Sequence, residues 1–515
     1  MKLKRIISFI ISGVLTCGIM STAAANAEEH AVLEARMPDT SFSVSNNISD
    51  NSYSTRSAPV YSYISENDDG TISRIEYSQS DSCVYAEDYS SDLSLSASRA
   101  IECELPLFGG FYSGNDYNYL VFGQENTAES NNTEIMRVVK YSKSWERISS
   151  FSAKGANTHE PFSAGSLRMT ESGGQLYIYT CHKMYTTDDG LNHQSNMTFV
   201  IDTETMTENQ SYYGIMNITY GYISHSFNQF IRTDGKYVFR ADHGDAHLRG
   251  ISITKCDVSG SITNVEYTNA FPIQGNYGDN YTGVSAGGFE LSDENCLIAG
   301  NSVDQSSEEA FSSSYQRNIF LTVTDKNFEK TNTIWLTNYT DSSGITPKTP
   351  QIIKCDSDRF LIMWEESSKA SGLTCVKMLT VNGSGNAVSD NKTADIRLSD
   401  CQPVMMSDNL VKWYVTDSDR AVIYSLDAYA LENCTDDVIS VTTSEIPGDT
   451  EANGVIDIAD ATCALTIYAK KAAGLSLEEF TEKQIKAADI DADGNVNIAD
   501  ATKILTIYAR NAAGL

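Results

Sequence analysis

"DGKYVFRAD", residues 234–242, sets a polar turn directly ahead of a short run of apolar and aromatic residues, and the arrangement recurs along the chain. Further copies are "NDYNYLVFG" from 115, "GGQLYIYT" from 173, "DENCLIAGN" from 293, "DSDRFLIMWE" from 356 and "SDNLVKWYV" from 407. A turn of Asp, Asn and Gly followed by β-branched and aromatic residues marks a strand entering a sheet. Recurrence at intervals of about 50 to 60 residues signals a repeat architecture in which each unit buries its faces against its neighbours.

Each copy has another strand-like run upstream, such as "AGSLRM", "HSFNQFI", "SAGGFEL" and "PQIIK". A third and often a fourth follow downstream, such as "GISITKCDVSG" and "NIFLTVTDKNF". Four antiparallel strands per repeat match a propeller blade. The expected fold is mainly β: a six-bladed β-propeller over residues 58–440, with 58–104 supplying either a seventh blade or the strands that close the ring. A β-sandwich is the alternative. Residues 28–57, rich in Ser and Asn, read as a loose leader, and 441–447 as a linker to a separate module at 448–515.

That module opens differently. "DIDADGNVNIAD", 489–500, alternates oxygen-bearing side chains around one glycine, and "DTEANGVIDIAD", 449–460, repeats the pattern. A hard cation such as calcium needs six to eight oxygens gathered by a short loop that turns back on itself. Asp489, Asp491, Asp493, Asn497 and Asp500 occupy ligand positions, Asn495 offers a backbone carbonyl, and Gly494 permits the sharp turn. The matching set in the first loop is Asp449, Glu451, Asn453, Val455, Asp457 and Asp460. Two ions are therefore expected. After each loop comes nearly the same helix, "IADATCALTIYAKKAAGL" and "IADATKILTIYARNAAGL", with Ala461, Leu465 and Tyr468 recurring at helical spacing as Ala501, Leu505 and Tyr508. Gly474 suits a C-cap, and Ser476 with Glu479 has the spacing of a capping box for a connecting helix.

A calcium loop with an exiting helix and no entering one, present twice, resembles the type I dockerin of cellulosome subunits over residues 447–515. The resemblance implies a small all-α module of two F-hand repeats that plugs into a cohesin on a scaffoldin. The family's contact positions fall here on Ile458, Ala459, Leu465, Thr466 and Lys470, and on Ile498, Ala499, Leu505, Thr506 and Arg510. Glu451 departs from the family's usual Asp or Asn. Near-identity of the repeats implies docking in either of two orientations.

The amino terminus carries Lys2, Lys4 and Arg5, an apolar run and a small-residue Ala25-Asn26-Ala27 site, the pattern of a cleaved secretory signal at 1–27. The expected location is extracellular, at the cell surface or on a scaffold. A formal charge of -31 argues against nucleic-acid partners, and no run is long enough to span a bilayer. Ten cysteines follow the signal without a C-x-x-C pair, and most read as buried thiols in strands.

Between signal and module, six of the seven histidines fall between 159 and 247. "SHSFNQF" places His225, Asn228 and Gln229 on a first strand, and "ADHGDAHLRG" offers Asp242, His243, Asp245, His247 and Arg249. Asp and His side by side suit a metal, an acid and base pair, or a hydrogen-bonded loop bracing two blades. His225, Asp242, His243 and Asp245 are the candidate catalytic residues. The four tryptophans, 145, 335, 364 and 413, read as core rather than as sugar platforms. No catalytic signature is legible, so three functions stand open: a polysaccharide hydrolase or lyase, a non-catalytic carbohydrate- or protein-binding propeller, and a structural component whose activity is docking alone.

Overall fold

Tyr237–Gly244, the strand of the opening motif, is buried from Val238 onward and pairs antiparallel with Ser226–Thr233 on one side and Gly250–Asp257 on the other. Glu266–Pro272 completes a four-stranded sheet. The computed structural model describes residues 32–37, 46, 60–90, 93–214, 221–279, 281–306, 316–372, 374–417, 420–443, 447–451, 456–491 and 494–513. Seven such sheets follow in sequence order, over 62–102, 107–154, 158–212, 226–272, 284–335, 345–394 and 404–443. They are numbered below as blades 1 to 7 of a seven-bladed β-propeller. The six motif copies are the second strands of blades 2 to 7.

The ring thus has one blade more than the six read from the motif, and residues 58–104 supply it. Their second strand, Ile72–Ser78, is buried at every position yet reads ISRIEYS. Arg74, fully buried, donates to Glu76 and, at 2.9 Å, to Glu87. An ion pair formed inside the sheet gives this core strand the composition of a surface one.

The leader also needs correction. Val32–Met37 runs antiparallel to Arg420–Leu426, from Val32 opposite Leu426 to Met37 opposite Ala421, and parallel to Val441–Thr443. The first strand among the described residues therefore completes the last blade, and Val441–Thr443, read as linker, extends the same sheet. Asn46 reinforces the seam: its Oδ1 accepts the Thr416 N–H at 2.6 Å and its Nδ2 donates to Ser62 Oγ at 3.1 Å. The signal segment and the rest of the leader lie outside the described residues.

First strands crowd together near the axis. A Cβ on Gly287 would sit 1.8 Å from the Pro350 carbonyl oxygen, so only glycine fits where blade 5 meets blade 6. Trp364 and Trp413 are fully buried and Trp145 nearly so, but Trp335 is 45 % exposed, against expectation. Its ring sits at the outer edge of blade 5, edge-on to Phe320 and Phe271. The ten cysteines of the described residues are free thiols.

Residues 458–513 form three helices, Ile458–Ala472, Glu482–Ala488 and Ile498–Ala513. Ala461, Ala464, Ile467, Ala488, Val496, Ala501 and Ile504 make their small core. The buried stripe of the first helix is therefore Ala461, Ala464 and Ile467, while Leu465 faces out. Gly474 takes the left-handed conformation of a C-cap (φ 68°). The connecting helix starts later than expected: Thr481 and Gln484 form its capping box, whereas Glu479 pairs with Lys470 at 2.7 Å. No helix among the described residues is long and apolar enough to cross a membrane.

Candidate functional site

First strands start, second strands finish and third strands start at one end of each blade, as Ser226 opposite Gly244 and Gly244 opposite Gly250 show for blade 4. His182, His193, His225, His243 and His247 all lie at this end of blades 3 and 4. The sequence cluster is thus a spatial one, but its members do different work.

Asp242 is 1 % exposed and accepts hydrogen bonds from the Tyr179 and Ser226 hydroxyls. Asn196 Nδ2 donates to Tyr179 at 2.7 Å and Gln229 Nε2 to Ser226 Oγ at 2.6 Å, so the carboxyl ties blade 3 to blade 4. Burial pushes Asp242 up to about 6, against the pull of its donors. Gln229 also accepts the Ser166 N–H at 2.7 Å, and Asn228 donates to the Ala286 carbonyl at 2.8 Å. His243 meets Thr282 Oγ1 at 3.1 Å, and burial pushes it down to about 3. Asp242, His243, Asn228 and Gln229 thus each hydrogen-bond to a group outside their own blade.

The Asp242 shift has a measurable consequence. The folded chain keeps a proton that the unfolded chain releases near the ordinary carboxylate value, so this stabilisation is present in acid and lost as pH rises through about 6. Relative to Asp242→Asn, wild-type stability is expected to fall by about 3 kcal/mol between roughly pH 4 and pH 7. Urea unfolding of both proteins across that range checks it, and parallel curves would remove the buried-proton account.

Two pairs in this cluster reach solvent: His193 with Asp189, at 2.8 Å and with both side chains open, and His225 with Asp245, whose carboxylate is buried. His225 Nδ1 lies 2.7 Å from Asp245 Oδ1, with the imidazole about a third exposed and the carboxylate fully buried. Among the described residues Asp245 Oδ2 has no hydrogen-bond partner. Held through Nδ1, the ring presents Nε2 as a proton acceptor or donor. Arg249 closes the rim, donating to the carbonyls of Asp245, Gln274, Asp279 and Tyr281, and Tyr277 and Tyr281 stand exposed above it. These two tyrosines were not singled out from sequence, where nothing separates them from the other tyrosines of the chain. Among the described residues, these His and Asp side chains do not converge into a three-ligand metal cluster.

One such cluster exists elsewhere. Ligand atoms of Asp489, Asp491 and Asp500 lie within 4.8 Å of one another. Asp500 is fully buried; Oδ2 accepts the Asn497 N–H at 2.7 Å, whereas among the described residues Oδ1 has no partner. A buried carboxylate oxygen beside two more carboxylates is costly without a cation, so these residues fit a calcium ion. Gly494 has the left-handed φ (83°) its loop position requires. Asn495 and Asn497 flank the site, and Asp493 lies outside the described residues.

The first loop is built differently. Asp460 Oδ1 accepts the N–H of Thr450 at 2.7 Å, the Thr450 hydroxyl at 3.1 Å and the Glu451 N–H at 3.2 Å, while Oδ2 accepts the Asp457 N–H. Protein donors satisfy this carboxylate, and Asp449, Glu451 and Asp460 do not converge as the second set does. Asn453 and Val455 lie outside the described residues. On the helices that follow, Ile458 is 60 % exposed and Ile498 61 %, and Leu465 and Leu505 are each 38 % exposed. Ala499, Thr506 and Arg510 are exposed on the second of these helices, whereas Ala459, Thr466 and Lys470 on the first are half-buried.

No family model and no curated protein matches this chain. Among solved structures, the chain is similar to the AfRom2 CNH domain at 10 % identity and TM-score 0.37, over 76 % of this chain and 99 % of that one. A subtype N10 neuraminidase-like protein of A/little yellow-shouldered bat/Guatemala is also 10 % identical, with TM-score 0.37 over 68 % and 97 %. An alpha-L-arabinofuranosidase from Lactobacillus brevis is 9 % identical, with TM-score 0.32 over 66 % and 94 %. Likenesses of this size assign neither family nor activity.

Proposed function

We propose that the chain is a secreted cellulosome-type subunit. Residues 448–515 act as a type I dockerin that binds up to two calcium ions and docks on a scaffoldin cohesin, and the propeller acts on or binds plant polysaccharide. One observation carries the docking reading: Ile458 with Leu465 and Ile498 with Leu505 are large apolar side chains left exposed to the same degree in both repeats. A module with so few core residues gains nothing for its own fold by exposing four more, so a partner surface is the economical explanation. The pairs Ile458-Ala459 and Ile498-Ala499 provide two equivalent docking edges.

The test is cohesin binding by the full chain. Ile458→Asp or Ile498→Asp alone is expected to leave affinity within about threefold of wild type, because the other edge serves, while the double variant loses at least about 100-fold. Equal large losses in both single variants would replace the two-orientation reading with a single fixed interface, and unchanged binding in the double variant would remove these faces from the interface.

For the propeller, a catalytic reading rests on the His225–Asp245 pair, in which His225 serves as acid or base for a glycoside hydrolase or lyase. Carbohydrate binding without turnover and a purely structural propeller are the alternatives. Activity on plant polysaccharides that vanishes in His225→Gln and Asp245→Asn supports catalysis; binding retained without turnover leaves a recognition module.

A further inference from the structure

Trp335 is the one tryptophan of four left open, 45 % exposed where Trp145, Trp364 and Trp413 are buried. It ends Thr331–Trp335, the outer strand of blade 5, and its indole stands nearly perpendicular to Phe320 and Phe271, with ring centres 5.8 and 6.5 Å away. Those two rings stack on one another at 4.1 Å across the boundary of blades 4 and 5. The indole is thus backed by an aromatic pair that is itself buried.

Trp335 lines a cavity of about 920 Å³, a volume suited to a short oligomeric ligand. Polar side chains supply much of the remaining wall: Asp304, Gln316, Asn318, Asn338 and Asp341. Internal hydrogen bonds fix that wall in place. Asn318 Oδ1 accepts the Thr337 hydroxyl at 2.9 Å and the Tyr339 N–H at 2.5 Å, its Nδ2 donates to the Tyr339 carbonyl at 3.1 Å, and the Tyr339 hydroxyl donates to Glu366. Gln316 Nε2 donates to the Ile345 carbonyl at 3.0 Å. A wall braced before any ligand arrives spends little binding energy on ordering.

The cavity lies at the same end of the propeller as His225 and Asp245. Ser302, which ends a second strand, is opposite Val284 at the start of a first strand and Asn318 at the start of a third, the arrangement that Gly244 has with Ser226 and Gly250. The Gln274 N–H donates at 3.0 Å to Gln305, next to Asp304 in sequence, and the Gln274 carbonyl accepts from Arg249 on the rim beside Asp245. One hydrogen-bonded run joins rim and cavity.

We propose that this cavity is a binding site for a neutral pyranose unit of a β-linked glucan or xylan, with Trp335 as its platform. A pyranose with equatorial hydroxyls presents C–H groups on its faces, which pack on an indole, and hydroxyls at its edge, which meet amides and carboxylates. Asp304 and Asp341 on the wall, in a chain of formal charge -31, repel an acidic sugar. The assignment rests on the polysaccharide reading of the propeller and adds to it the place and the class of sugar.

The test uses the full chain, titrated with cellohexaose, xylohexaose and, as an acidic counterpart, hexagalacturonate. Because the other three tryptophans are buried, collisional quenching of fluorescence by acrylamide reads Trp335, and a saturating neutral oligosaccharide is expected to reduce it at least about twofold. Calorimetric affinity for that oligosaccharide is expected to fall at least about tenfold in Trp335→Ala and to stay within about threefold of wild type in Trp335→Tyr, which keeps an aromatic face. Near-UV circular dichroism checks that the variants are folded, and quenching in wild type carries the test if Trp335→Ala is not. Neutral-sugar binding undiminished in folded Trp335→Ala, or quenching unchanged at saturation, overturns the site while the polysaccharide reading stands, because the sugar then binds elsewhere on the chain. Absence of saturable binding by both neutral oligosaccharides overturns the site and removes glucan and xylan from that reading. Hexagalacturonate binding as tight as the neutral sugars overturns the assignment to neutral units.

Discussion

A chain that starts at residue 41 is expected to melt on the order of 10 °C below wild type and to aggregate, although the deleted segment reads as a leader. It would lack Val32–Met37, whose Val32, Ala35 and Met37 are buried in a cluster with Trp413, Tyr424 and Leu426. Burial of two large side chains and a ladder of backbone hydrogen bonds to Arg420–Leu426 contributes roughly 5 kcal/mol. The truncation also leaves Arg420–Leu426 as an open, apolar edge, a template for pairing with other chains. Differential scanning calorimetry and light scattering check the two effects. Leu33→Ser, at a side chain 39 % exposed, should change neither. A truncated protein that melts with wild type would show that blade 7 stands without its first-made strand.

The second large effect concerns the acidic loops. Chelation of calcium is expected to abolish the helical signal of residues 458–513 while the β signal persists, because their seven-residue core is too small to hold them without a bound ion. Single substitutions should then separate the loops. Asp500→Asn keeps the shape that accepts the Asn497 N–H but removes charge from an oxygen that no described protein group satisfies, so its cost should be confined to calcium-loaded protein, at about 100-fold in affinity. Asp460→Asn weakens acceptance from Thr450, Glu451 and Asp457, so its cost should persist at saturating calcium, as earlier thermal loss of the helical signal, where the affinity loss of Asp500→Asn is overcome by mass action. Calcium titrations followed by circular dichroism read both. Identical profiles for the two variants would mean that the loops are equivalent despite their different hydrogen bonding.

Repeats were legible wherever a central strand was apolar. The motif around Tyr237–Gly244 recurs because a strand buried on both faces needs Val, Ile, Leu and aromatics, and a turn needs Asp, Asn or Gly. It failed at Ile72–Ser78, where Arg74 and Glu76 satisfy one another inside the sheet, and at Val32–Met37, where six residues give too short a pattern to stand out from a Ser-rich surrounding. The histidine cluster was legible as a cluster, but not the division of labour within it. Asp242 becomes a brace only because Tyr179, 63 residues away, reaches it across the blade boundary.

Ring closure also orders events in time. Val32–Met37 has its partner at Arg420–Leu426, so about 400 further residues must emerge before Val32 meets Leu426. Blades 1 to 6 pair strands close in sequence and can assemble as they appear, whereas the last sheet waits for the two ends of the ring to find one another. Until then both edges are exposed and can pair with a neighbouring chain instead, giving a swapped dimer whose yield should rise with protein concentration during refolding.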